Sequence, residues 1–346
     1  MAAVLLGPIR AGCHVAKLAH TAIGQFRSCR QASILTSCRR ETGTSSSRET
    51  TNVKLRALKI ACWFVAVGLV IAPAVAKPAA AADPETYQLR YKLKAGEKIR
   101  YEVTHVAKTK TRIRGEEEIS NVHTVSERHW DVSEANETDF TFNHIIDSVE
   151  MTQQQGDQEE LRWDSASGEE PNQVFEKVAE QIGQKLATIK IDTRGEELER
   201  EDFGGTKAQL GMGSLALALP EQALAIDDTW TVPREVKART DDGEVKTIKI
   251  QEVYKLEQVK TGVATISIRS EPLTPMGSDS IKAQVIQQLS NGEIRFDIDA
   301  GRMISKKLDW DETVVGFQGP NSMMEYRARM TEQLQDGAQR TARLPK

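Results

Sequence analysis

Beyond residue 82 the chain contains no cysteine: its four, Cys13, Cys29, Cys38 and Cys62, all precede Asp83. That absence excludes disulfides, thiolate metal sites and cysteine nucleophiles from residues 83–346. The nucleophile elbow G-x-S-x-G is missing, and so are a P-loop and a G-x-G-x-x-G turn; the GMG at 211–213 and the Gly204-Gly205 pair are too sparse to cradle phosphate. A basic excess is missing as well. The first 82 residues hold 11 Lys/Arg and 2 Asp/Glu, which leaves 35 basic and 48 acidic residues for 83–346, net −13. So acidic a chain is a poor electrostatic partner for nucleic acid, and its charge favours solubility.

Metal ligands are thinly supplied. Four histidines remain after residue 82, His105, His123, His129 and His144, without the tight H-x-H or H-x-x-x-H spacing that a zinc site uses. They read instead as strand residues, His123 and His129 pairing with Lys108 and Glu102 on a charged face. The DIDAG stretch at 297–301 starts like a calcium loop, but its fifth position is Gly301 and its twelfth is Leu308, so a tight hairpin turn explains it better. Carboxylate-pair hydrolysis needs two acids across a cleft, and here dozens of acids offer no reason to single out two. No cofactor is called for.

What is present begins with an address. KLRALKIACWFVAVGLVIAPAVAKPAAAADPE, residues 54 to 85, has a basic start at Lys54, Arg56 and Lys59, about 13 mostly apolar residues from Ile60 to Ala72, and small residues beyond. Cleavage after Ala76 or Ala82 is expected. The alternative is a single membrane anchor over 60–76, which would be the only membrane contact. The apolar core is shorter than the roughly 20 residues a spanning helix needs. Residues 1–53 read as a non-native or disordered upstream extension, with a transit peptide as the alternative.

From residue 98 the pattern is antiparallel β. Residues 98–113 and 118–133 form a hairpin around 114–117, and pairing to a sum of 231 sets Tyr101 opposite Trp130 and Ile99 opposite Val132 on the face to be buried. The opposite face then pairs Arg100 with Asp131, Glu102 with His129 and Lys108 with His123. A third strand covers 139–151, with Phe140, Phe142, His144 and Ile146 on one side, and a short one lies near 161–163. The four-residue recurrence of Val174, Val178 and Ile182 predicts a helix over 171–186. A second unit, 224–335, repeats the plan after a joint at 204–223. There a sum of 484 sets Trp230 opposite Tyr254, and a helix is expected over 281–289. The fold expected is mainly β: long twisted antiparallel strands forming one half-barrel or two similar curved sheets, two helices covering the concave side, and a loose tail over 336–346.

The segments LRYKLKAGEKIRYEVTHV, LPEQALAIDDTW and GEIRFDIDAGRMIS resemble those of a family of exported planctomycete proteins of unknown function, in which a signal peptide precedes such a domain. Here Asp227 stands where the family has glycine. The resemblance implies an exported protein of the periplasm or cell envelope and supplies no catalytic residues.

Three readings of function follow. The first is a non-enzymatic module holding a hydrophobic or lipid-like ligand, with Tyr101, Trp130, Phe142, Trp230 and Tyr254 as candidate cavity residues. The second is an envelope protein that meets a protein partner through its acidic surface. The third is a hydrolase with dispersed carboxylates.

Overall fold

The computed structural model describes residues 85–203 and 215–335. The expectations for the extension 1–53, the signal 54–82, residues 204–214 of the joint and the tail 336–346 fall outside the described residues.

Alternating apolar and polar residues become strands over most of the described chain. In order these are β1 (Lys98–Ile113), β2 (Glu116–Ala135), β3 (Asp139–Gln155), β4 (Leu161–Asp164), helix α1 (Glu176–Ala179), β5 (Lys185–Asp192) and β6 (Glu197–Asp202). Then come β7 (Thr229–Arg239), β8 (Val245–Lys260), β9 (Val263–Pro272), helix α2 (Asp279–Val285), β10 (Asn291–Asp297), β11 (Arg302–Val315) and β12 (Met323–Leu334). They make one antiparallel sheet in the order β6-β5-β3-β2-β1-β12-β11-β10-β9-β8-β7, with β4 paired to β3 off that path. The chain therefore walks outward from the centre to one edge, crosses to the other edge, and walks back until β12 lies beside β1.

Turn chemistry sets the registers. Arg114 and Gly115 have φ of 54° and 91°, the two left-handed residues of a type I′ turn, which suits the twist of a two-residue hairpin. Ile113 consequently faces Glu116, and the β1–β2 pairing sums to 229, not 231. A slip of two preserves the faces, so Tyr101 and Trp130 are both buried, but the cross-strand partners change. Ile99 faces Trp130, Arg100 faces His129, Glu102 faces Glu127 and Lys108 faces Asn121. The expected exposed-face pairs are worth only a few tenths of a kcal/mol each, too little to override the turn. Between β7 and β8 the expected register holds, with Trp230 opposite Tyr254 and Val236 opposite Ile248.

The helix expected over 171–186 is corrected to the single turn α1. Val174 lies off the buried stripe at 46% exposure, Gly183 takes φ +75°, and the chain is already strand at Lys185. In KLATIKID the buried residues Ala187, Ile189 and Ile191 follow a period of two, and β3 offers that segment a ladder. A helix this short has little stability of its own. Helix α2 forms near the expected place, capped by Ser278 and continued by a 3-10 turn through Gln288. Asn291 and Gly292 already belong to β10.

Both helices cover the apolar face. Val178 packs with Phe175, Val149 and Trp163, while Ile281 and Val285 pack on Ala238, Ile248 and Ile250. A single main core joins residues from both halves of the chain, from Leu89 and Tyr101 to Phe296 and Met330.

The sheet is rolled, as two consecutive hydrogen bonds show. Residues 87–93 run as a strap in which Leu89, Tyr91 and Leu93 are buried. Tyr91 N donates to Thr193 O in the β5–β6 turn at 2.8 Å, and Lys92 N donates to Gly301 O in the β10–β11 turn at 3.0 Å. Strands β5 and β11 are five steps apart in the sheet, ~24 Å if it were flat. Adjacent residues reach both turns, so the turns lie within ~10 Å of each other, and the sheet must curl into an open half-barrel. Of the segment that crosses from β6 to β7, the described residues 215–224 lie inside the curl. Leu219 N donates to Arg194 O, Leu217 N donates to the Tyr91 hydroxyl, and Tyr87 and Leu224 form a bridge. Among the described residues no helix is long and apolar enough to cross a membrane.

Candidate ligand cavity

Residues 215–219, the described residues of the crossing segment nearest the sheet, do not fill the curl. A cavity of about 330 Å³ remains between Leu217 and the inner face of β7 to β11, walled by Val232, Val236, Tyr254, Ile268, Ile294 and Leu308. Strand parity explains the walls: Tyr254, Ile268, Ile294 and Leu308 are buried-face residues of four successive strands. The crossing segment stands off from them because its own hydrogen bonds tie it to Tyr91 and Arg194.

Polar groups reach the cavity at two places. Tyr254 donates its hydroxyl proton to Glu252 at 2.6 Å, Glu252 lies 3.3 Å from Arg234, and Arg234 donates to Gln288 O at 3.0 Å. Burial, with Glu252 next to it, pushes the Tyr254 phenol well above its ordinary value, so the phenol keeps its proton and acts as a donor. At the second place Lys306 pairs with Glu332 at 3.1 Å. Burial pushes the Glu332 carboxyl up, but Lys306 and Arg128 outweigh it and hold the group ionised, below its usual value. Lys306 and Glu332 face each other directly across β11 and β12.

The residues singled out from the sequence fall in two places. Tyr254 lines the cavity, and Trp230 stacks on it at 5.1 Å and 12° while donating to Ala218 O at 2.9 Å. Trp130 and Phe142 stack at 4.4 Å and 13° in the core, away from this cavity. Tyr101 tilts against Trp130 at 5.7 Å and donates to Met303 O at 3.1 Å. It also borders a second cavity of about 370 Å³ near the start of β1, with Arg128, Arg302 and Leu334.

The histidines divide differently from their sequence pattern. His105 and His144 are buried on the core face, His123 is exposed, and His129 bonds Asp147 at 2.8 Å instead of Glu102. Glu312, whose carboxyl burial and then Asp311 push up, lines neither cavity. Sequence reasoning missed Arg128, Lys306 and Glu332. For two of them a signal was there to read: Arg128 shares the parity of Trp130 and Val132, and Glu332 continues the buried run Met324, Tyr326, Ala328, Met330.

No protein-family model matches the chain, and no curated protein does. Among solved structures it is similar to a lipovitellin, from a structure titled for lipid–protein interactions in that protein, at 11% identity and a TM-score of 0.39. The match covers 71% of this chain and 26% of that one, so the chain spans about a quarter of its neighbour's length.

Proposed function

We propose that the protein is a non-enzymatic binding module that holds a hydrophobic or lipid-like ligand on the inner face of its half-barrel. One observation carries this: a cavity of about 330 Å³ with largely aliphatic walls and a few placed polar groups, on the apolar face of the sheet. Its size falls at the lower end of the range for small-molecule sites, roughly 300–1,000 Å³, and its apolar walls with sparse polar anchors fit that class. The anchors Tyr254, Arg234 and Lys306 orient a polar end, and the aliphatic walls take the rest. An exported location, read from residues 54–82, belongs to the same proposal.

The test is binding of the neutral apolar fluorophore N-phenyl-1-naphthylamine to protein stripped of co-purified lipid. Saturable binding is expected, and Ile268→Trp, which fills the cavity from its wall, should weaken it at least tenfold while leaving the thermal midpoint within a few degrees. Absent saturation, or a tight-binding and folded Ile268→Trp, overturns the reading.

A further inference from the structure

The second cavity, about 370 Å³ at the start of β1 and the end of β12, is lined by three arginines, Arg100, Arg128 and Arg302. Arg128 projects from the core-facing parity of β2. Its Nε donates to Ser126 Oγ at 3.0 Å, and Ser126 in turn bonds Val103 O. The guanidinium plane is thereby fixed, while its two terminal nitrogens meet no acceptor among the described residues. Arg302 is bound through Nη1 to Glu97, and its buried Nε has no partner among the described residues.

The nearby carboxylates are already engaged. Glu332 is taken by Lys306, Glu97 by Arg302 and Asp147 by His129. Glu127 also borders the cavity, but it is exposed and stands opposite Glu102. The residues that line the cavity carry Lys98, Arg100, Arg128 and Arg302 against Glu127 and Asp147, an excess of two positive charges. Burial lowers the Arg128 guanidinium from its ordinary value, and the charge of Glu332 opposes this. A planar fork held at Nε and open at both terminal nitrogens matches the two oxygens of a carboxylate or phosphate. Ile99, Tyr101 and Leu334 supply an apolar wall beside it.

We propose that this cavity is an oxyanion site, in which Arg128 receives a carboxylate or phosphate in bidentate fashion while Arg100 and Arg302 add positive charge to its wall. The oxyanion is either free or the head of an acidic amphiphile whose tail lies along Ile99 and Leu334. The site stands on different residues from the apolar cavity and does not depend on it.

Calorimetric titration at low ionic strength with inorganic phosphate, octanoate and neutral octanol separates the cases. Saturable binding of phosphate equal to or tighter than octanoate marks a free oxyanion; octanoate binding at least tenfold tighter than both phosphate and octanol marks an acidic amphiphile. In either case Arg128→Lys, which keeps the charge and loses the fork, should weaken binding about tenfold, and Arg128→Gln should abolish it. Ile268→Trp should leave it unchanged, which keeps a failure of this site distinct from a failure of the apolar one. Should neither anion saturate, or should a folded Arg128→Lys bind like the parent, the proposal falls; Arg128→Lys decides even if Arg128→Gln does not fold.

Discussion

His144 sits 1% exposed on the core face of β3, with neither ring nitrogen hydrogen-bonded among the described residues. Burial, followed by the positive charge of Arg128, pushes its pKa down to about 3, and burial pushes His105 down to about 4, against 6.5 in an unfolded chain. Both are neutral in the folded protein at pH 7. Between those folded values and 6.5 the unfolded chain binds protons that the folded chain refuses. Stability is therefore complete above pH ~6.5 and falls as pH drops, by up to ~1.4 kcal/mol per pH unit for each histidine. Urea midpoints at pH 7, 6 and 5 check this, and His144→Phe should remove about half of the histidine-dependent slope. Asp227 shows how residue identity and conformation part company. Its φ is +74°, a value that favours glycine, and the turn before Trp230 keeps that conformation with an aspartate in place. Which face a residue occupies was legible from parity alone, as Tyr101, Trp130, Phe142 and Tyr254 show. Who sits beside it was not, because Arg128 on β2 comes near Glu332 only through the pairing of β1 with β12, strands distant in sequence.

The elements were legible in proportion to how far their signal was local. Strands β11 and β12 lie within a residue of where alternation places them. The β1–β2 register was missed because it depends on two left-handed residues, and an Arg in that conformation leaves no mark beyond the glycine that follows it. Helix 171–186 failed because the four-residue recurrence ran past Ala179 into a turn at 180–184 and into Lys185 and Leu186, which already belong to β5 beside β3. The strap was invisible as an element, since its hydrogen bonds go to two turns about 100 and 200 residues away. Those turns accept it only because they are bare. A Cβ on Gly301, at φ +62°, would meet Lys92 atoms at 2.5 Å, and one on Gly195, at φ +79°, would meet Leu217 O at 2.4 Å. Gly301→Ala should thus destabilise the fold by roughly 1–3 kcal/mol through strain and lost strap contact. In hydrogen exchange the Tyr91 and Lys92 amides should lose protection while the amides in the middle of β1 keep theirs.

At the scale of the whole molecule, the order of the strands governs assembly. Strands β1 and β12 pair over twelve residue positions, from Tyr101 with Leu334 to Arg112 with Met323, so the centre of the sheet is held by partners more than 200 residues apart. Loop-closure entropy must be overcome before such a pairing is rewarded, and refolding should be slow, on the order of seconds or longer. A chain ending at Pro320 leaves β1 and β11 with open edges at the centre and uncovers the core faces of Tyr326 and Met330. It should show no cooperative thermal transition by circular dichroism; a sharp transition in that truncation would mean that each half folds by itself.

On a ribosome the same arrangement imposes a schedule. The first five strands of the path can join as they emerge, yet β1 keeps a bare edge through the synthesis of everything from the first hairpin to the last loop, and its rightful partner is the final strand made. An exposed edge of that length recruits strands from other chains. Aggregation through that edge is thus a risk for as long as the described strands before β12 have been made and β12 has not, because only the keystone is then missing.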